Sequence, residues 1–205
     1  LTGCTGKLGQ AFIEHYAGLY TIVGIARRKP SFQTGTFDFF QGDICQDAEK
    51  IVQHVLKKHK KIDGLINAAV HYNWAELKDK ERKIFEQELA TNVIAPLELA
   101  NNILRDFWIE AGREENTKWN RSIVNVSSIS AITVSKNSGL GGYSATKAAL
   151  NMLTRYMAHE YATYGIRVNA LLPTTFPELI PTEKVAAAVH EFIENQDNGI
   201  IKVLG

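Results

Sequence analysis

The sequence predicts an α/β fold in which a doubly wound parallel sheet carries helices on both faces. Three observations lead there. Short runs rich in β-branched residues alternate with longer helical segments along 205 residues. The short runs are apolar nearly throughout, as strands buried on both faces must be. A cluster of glycines also opens the first helical segment, where such folds turn from strand to helix.

The strands are expected at residues 20–25, 37–40, 62–70, 122–127, 166–172 and 200–204, and the helices at 7–17, 47–60, 80–112, 143–164 and 182–194. Gly18 supplies a natural end to the first helix. Residues 1–205 read as one domain, with no repeat or low-complexity linker. Almost no strand precedes the glycine loop, so the first strand is expected to be truncated. The connection near 174–182 is too short for an ordinary substrate lid, which is expected to be short or missing.

Composition removes several function classes. Lys and Arg number 23 against 22 Asp and Glu, a net charge of +1, which gives no field for nucleic acid or an anionic membrane. The run Lys57-Lys58-His59-Lys60-Lys61 reads better as a favourable helix C-terminus than as a binding patch. No apolar run reaches the ~20 residues a membrane helix needs. Cys4 and Cys45 form no disulfide framework, which fits the cytoplasm, and the six histidines have no metal-ligand spacing.

The chemistry begins at Thr2-Gly3-Cys4-Thr5-Gly6-Lys7-Leu8-Gly9. Glycines three apart allow a tight turn and close approach to a phosphate, and the helix that follows offers free N–H groups. At the end of the run 20–25, the second strand once the truncated one is counted, stand Arg27 and Arg28, with no acid to take a ribose hydroxyl. Arginine suits a 2′-phosphate, so NADP is favoured over NAD. Asp43, in Gly42-Asp43-Ile44, could bind an adenine amino group or equally stabilise its own turn. Tyr143 and Lys147 lie four apart on a helix and share a face, and a nearby ammonium favours the phenolate. The run Ser122–Val126 leads into Ser127 and Ser128 at the carboxyl edge where α/β sites are built. Asn92 is a poor helix former inside a helical stretch.

These motifs, with Asn67-Ala68-Ala69-Val70 and the stretch from Gly165 to Pro173, resemble the short-chain dehydrogenase/reductase family along the whole chain. The likeness is to its main branch, including enzymes similar to 3-oxoacyl-(acyl carrier protein) reductase. The resemblance implies a Rossmann-like sheet of about seven strands and a homodimer or homotetramer. It implies Tyr143 as general acid/base, Lys147 lowering its pKa and binding the nicotinamide ribose, Ser128 polarising the carbonyl, and Asn92 holding a water in the relay. It places Gly3, Thr5, Gly6, Lys7, Leu8, Gly9, Arg27, Arg28, Asp43, Ile44, Asn67, Ala68, Ala69, Pro173 and Thr174 at an NADP(H) cofactor, beside Tyr143 and Lys147. The glycine spacing departs from the main branch and resembles the extended one, Ala68 and Val70 depart from its N-N-A-G stretch, and Thr174 from a glycine.

The expected function is hydride transfer between NADPH and a small ketone, aldehyde or secondary alcohol. Two other readings stay open: a non-catalytic NADP-binding sensor or scaffold, and a nucleotide-sugar epimerase or dehydratase. Trp74 could line the substrate pocket or pack on a loop.

Overall fold

The computed structural model describes residues 1–31, 37–136 and 139–205. Among the described residues six parallel strands form the sheet: β1 (Ile22–Ala26), β2 (Phe37–Gln41), β3 (Gly64–Asn67), β4 (Ser122–Val126), β5 (Arg167–Pro173) and β6 (Ile201–Leu204). β1 pairs with β2, and β3 to β6 pair in chain order. The expected count of seven is therefore corrected to six. The place between β1 and β3 is held by Leu1 and Thr2, too short a piece for a ladder of its own. Thr2 bridges Ile25 on one side and Asn67 on the other. Its N–H donates to the Ile66 carbonyl (2.9 Å), and the Ile25 N–H donates to the Leu1 carbonyl (2.9 Å).

The helices are α1 (Lys7–Tyr16), α2 (Ala48–His59), α3 (Arg82–Leu89), α4 (Ala95–Ile103), α5 (Ile109–Ala111), α6 (Arg113–Lys118), α7 (Gly141–Tyr161) and α8 (Thr182–Glu194). Successive strand side chains point to opposite faces, so two apolar layers form. Leu65, Ile123 and Val168 meet Ile51, Leu99 and Tyr161 on one face. Ile66, Val124 and Leu171 meet Phe12, Val189 and Phe192 on the other. α1 ends at Tyr16, one residue before its Ala17 cap and two before Gly18. The basic run does close α2, with Lys57, Lys58 and His59 in the last turn. There Lys58 (2.8 Å) and His59 (3.0 Å) also bond Asp38 of β2.

The helix expected over 80–112 is one rod from Arg82 to Ala111, but its period changes twice. α3 passes into a π turn at Ala90–Ile94, and α4 into a second at Leu104–Trp108. No described helix is long and apolar enough to cross a membrane.

The chain steps from Thr2 outward to β1 and β2, then returns to β3 on Thr2's other side. Strand order thus reverses at Thr2, and a crevice opens above the carboxyl ends of these strands. The connection 174–181 is a single compact turn, with the Leu179 and Ile180 N–H groups on the Thr175 carbonyl (2.9 and 3.3 Å).

Candidate active site

The crevice is a groove of about 430 Å³, lined by Gly3, Thr5, Gly6, Arg27, Arg28, Asp43, Ile44, Ala68 and Ala69 among others. Gly3 has φ +68°, and a Cβ there would lie 2.8 Å from the Ala69 backbone. A Cβ on Gly9 would lie 2.5 Å from the Gly3 carbonyl oxygen. Both glycines are therefore needed to keep the loop flat against its neighbours. Leu8 and Gly9 are buried beneath the loop and support it rather than line the groove. Lys7 is not among the lining residues and pairs instead with Glu178, 3.5 Å across two exposed side chains.

Arg27 and Arg28 stand exposed beyond the end of β1, and neither forms an ion pair among the described residues. Asp43 stabilises its own turn, one carboxylate oxygen accepting from the Cys45 N–H (3.0 Å), while it also lines the groove. Asn67 departs from expectation. It is 3% exposed, is absent from the groove wall, and donates inward to Asn125 (2.9 Å), which donates to Thr154 (2.9 Å). Pro173 ends β5, and the buried hydroxyl of Thr174 beside it has no partner among the described residues. The flat glycine loop, two uncommitted guanidiniums and this orphaned hydroxyl fit a phosphate-bearing dinucleotide.

β4 and α7 bring the remaining groups together. The Ser128 hydroxyl lies close enough to the Tyr143 phenol to lower its pKa, and it accepts from the Ser130 N–H (3.1 Å). Ser127 instead donates to the Lys147 carbonyl (3.3 Å) and is buried. Burial pushes the Tyr143 phenol above its ordinary pKa, neighbouring Ser128 pulls it down, and Tyr72 adds to the rise. The Lys147 ammonium lies 5.8 Å from the Tyr143 ring centre and donates to the Val126 carbonyl (2.8 Å).

Asn92 sits in the first π turn, a backbone irregularity common at functional sites. Its amide nitrogen donates to the His71 carbonyl (2.7 Å) and the Thr146 hydroxyl (3.0 Å), and its oxygen accepts from the His71 N–H (2.9 Å). Both amide hydrogens are thus committed to protein. The side chain thereby clamps the segment after β3 to α7, and its oxygen keeps a second lone pair.

Lys147 is 2% exposed, and burial lowers its pKa to about 8. From an ordinary 10.5 this is a cost of roughly 3 kcal/mol to the folded state while the group is charged. The sign follows from linkage. Below pH 8 the full cost is present; between about 8 and 10.5 the folded protein has lost the proton and the unfolded chain has not, so stability rises with pH. Lys147→Met removes the charge and leaves the Val126 carbonyl unpaired, about 1–3 kcal/mol in the other direction. Thermal denaturation should therefore show the variant no less stable than the parent at pH 7, with its relative advantage shrinking from pH 8 to 10. A variant melting several degrees lower at pH 7 contradicts this account.

The sequence pattern of the family described as short chain dehydrogenase matches residues 1–184. The chain belongs to that family. It is 32% identical to the mouse dehydrogenase/reductase SDR family member 4 over 201 residues, covering 90% of this chain and 68% of that protein. An uncharacterised oxidoreductase of Thermotoga maritima is 33% identical over 69% of this chain. The chain covers 52% of that protein's length, and about half of several other curated relatives. Two solved structures share the fold. A Leptospira borgpetersenii short chain dehydrogenase with bound NAD+ superposes with TM-score 0.87 at 21% identity, over 98% of this chain and 88% of that one. A 4-hydroxyisoleucine dehydrogenase complexed with NADH and succinate gives 0.85 at 20%, over 100% and 95%.

Within this short-chain dehydrogenase chain, sequence reasoning passed over Thr2. Its buried hydroxyl accepts from the Ala68 and Ala69 N–H groups (3.0 Å each), tying the glycine loop to the end of β3. The signal available was a Thr directly before the first glycine. Tyr72, whose ring meets the edge of Tyr143 at 5.9 Å, gave no signal beyond being aromatic.

Proposed function

We propose that this chain is the cofactor-binding and catalytic unit of an NADP(H)-dependent oxidoreductase acting on a small ketone or aldehyde, or on the corresponding secondary alcohol. One observation carries the reading. The Tyr143 phenol, the neighbouring Ser128 hydroxyl and the buried Lys147 ammonium meet at the carboxyl edge of β4, beside a groove suited to a dinucleotide. The nicotinamide cofactors in the solved relatives support the same class of cofactor here. A bound NADPH would supply the hydride.

Tyr143, whose pKa burial moves further above that of an ordinary phenol, is protonated at neutral pH and can donate to a carbonyl oxygen as negative charge develops there. Ser128 offers a second hydroxyl to the same oxygen. Lys147 uses one donor on Val126, leaving two for ribose hydroxyls. Arg27 and Arg28 would take the 2′-phosphate, and Thr174 would meet its unused hydrogen-bonding need at the nicotinamide end of the groove. Residues 1–205 would act as one domain, in the cytoplasm and without nucleic acid, membrane or metal. A homodimer or homotetramer is supported by Met152 and Tyr156, 53% and 60% exposed and four residues apart on α7.

The test is loss of reduced-cofactor absorbance on mixing the protein with NADPH and a panel of carbonyl compounds. Tight NADPH binding without consumption by any carbonyl would favour a sensor. Conversion of a nucleotide sugar with no net consumption would favour an epimerase. For the cofactor, the double substitution Arg27→Ala/Arg28→Ala should weaken NADPH binding by about 10- to 100-fold, the size expected for charge-assisted hydrogen bonds, and leave NADH binding within twofold. Equal losses for both cofactors would refute the 2′-phosphate assignment.

A further inference from the structure

Glu88 on α3 is fully buried and has no place in the mechanism above. One carboxylate oxygen accepts from the Asn73 N–H (2.8 Å) and from the Lys80 ammonium (3.1 Å). Lys80, with a side chain 5% exposed, also donates to the Asn73 carbonyl (2.7 Å). The other Glu88 oxygen is buried without a partner among the described residues. It faces Gly142, in the first turn of α7 and next to Tyr143: a Cβ on Gly142 would lie 2.6 Å from that oxygen and 3.0 Å from the Lys80 Cε.

Gly142 is one of three glycines that each make room for a group from the segment before α3 or from α3 itself. A Cβ on Gly139 would meet the Trp74 indole at 2.5 Å, and one on Gly141 would meet Leu77 at 2.8 Å. The Ala75 N–H donates to the Gly139 carbonyl (3.1 Å). Segment 71–80 is therefore fitted onto the approach to α7 and anchored at both ends, by Asn92 at His71 and by Glu88 at Asn73 and Lys80. Tyr72 lies in this segment and rests its ring edge on Tyr143. Residues 137 and 138 of the approach lie outside the described residues.

We propose that Glu88 is a positioning residue for Tyr143, acting with Lys80 as a buried ionic bolt that fastens segment 71–80 to α3 and packs against the first turn of α7. A buried charge pair is weak evidence for stability, since desolvation offsets much of the attraction. What it does supply is geometry. It fixes how Tyr72 packs on Tyr143 and how the phenol presents to Ser128, and a displacement of about 1 Å at a reacting group can cost 10²-fold in rate.

The proposal rests on the oxidoreductase reading for its kinetic arm only. The first arm needs no turnover: a spectrophotometric titration of the Tyr143 phenol, taken as the difference between each protein and the same protein carrying Tyr143→Phe. Burial holds this phenol above its ordinary pKa, so loosening its surroundings should lower the midpoint. Glu88→Gln keeps the shape and loses the charge, and should move the midpoint down by at least about half a unit. In the kinetic arm the same variant should lower kcat about tenfold and leave the cofactor KM within twofold. Gly142→Ala extends the kinetic arm. Alanine in a helix would ordinarily help by roughly 1 kcal/mol, yet here its methyl meets the Glu88 oxygen, so kcat should fall. Glu88→Ala in the Gly142→Ala background should cost less than it does alone, a coupling that a double-mutant cycle reads directly. Parental midpoint and kcat in Glu88→Gln, with only the melting temperature lowered, would overturn the proposal. So would strict additivity in the cycle. If the parent consumes NADPH with no carbonyl, the functional reading fails while the titration still decides the bolt.

Discussion

Tyr143→Phe should lower kcat by about 10²- to 10⁴-fold, the range for a lost general acid/base, while cofactor affinity and melting temperature stay near the parent's. The ring stays and fills the same space against Tyr72; only the hydroxyl beside Ser128 goes. The pH profile separates this from a packing defect. The phenol's pKa is raised, chiefly by burial, so it is protonated at neutral pH. Carbonyl reduction, which needs the acid form, should be flat through neutrality and decline on the alkaline side. Alcohol oxidation, which needs the base form, should rise over that same limb. In the phenylalanine variant both limbs should vanish from whatever rate remains. A variant turning over at the parental rate removes Tyr143 from the mechanism.

Arg167→Leu should be the most damaging single change away from the site. The Arg167 guanidinium is held inside the protein by five hydrogen bonds, all accepted by oxygens. They run to the Asn120 side chain (2.8 Å) and carbonyl (3.0 Å), and to the carbonyls of Phe192 (3.0 Å), Ile193 (2.8 Å) and Asp197 (3.2 Å). Phe192 and Ile193 belong to the last turn of α8, whose carbonyls have no partner within the helix and carry its negative dipole end. Leucine fills the space but leaves the Phe192 and Asn120 carbonyls without these donors, at about 1–3 kcal/mol each. The sum, on the order of 4 kcal/mol, corresponds to a fall of roughly 8–16 °C in melting temperature for a chain of this size. Lysine keeps the charge but not the fork, and should recover only part of the loss. A shift under about 2 °C for Arg167→Leu would show that these carbonyls find other partners.

Much of the fold could be read from the order of the residues because the signals were local. Apolar runs bounded by polar turns placed all six strands, and Gly18 and the basic run closed α1 and α2 within a residue or two. Tyr143, Ser128 and Lys147 were legible as a group because strand end and helix start recur in a fixed order along such chains. The contributions of individual atoms were not legible. Asn67 sits in the expected motif, yet its amide turns to Asn125 because β3 and β4 put the two side by side. Asn92 was marked by its awkwardness in a helix, but only the turn after β3 shows that it holds His71. Glu88 had no local signal at all: an acid in an exposed-looking stretch becomes buried once segment 71–80 folds over it. Its partner Gly142 lies 54 positions further on.

The rod from Arg82 to Ala111 also changes how its residues must be counted. A π turn inserts about one residue into the helical repeat, and one residue is worth about 100° of rotation. The rod is therefore three short screws cut with different starting angles. The first aims a carboxylate at the glycine approach, the second lays Leu99 and Ile103 on the sheet, and the π turn before the third drives Trp108 inward until its indole donates to the Ile62 carbonyl (2.8 Å). A wheel drawn from either end with one constant pitch would lose its phase before the middle, and would turn Asn92 away from the residues it holds together.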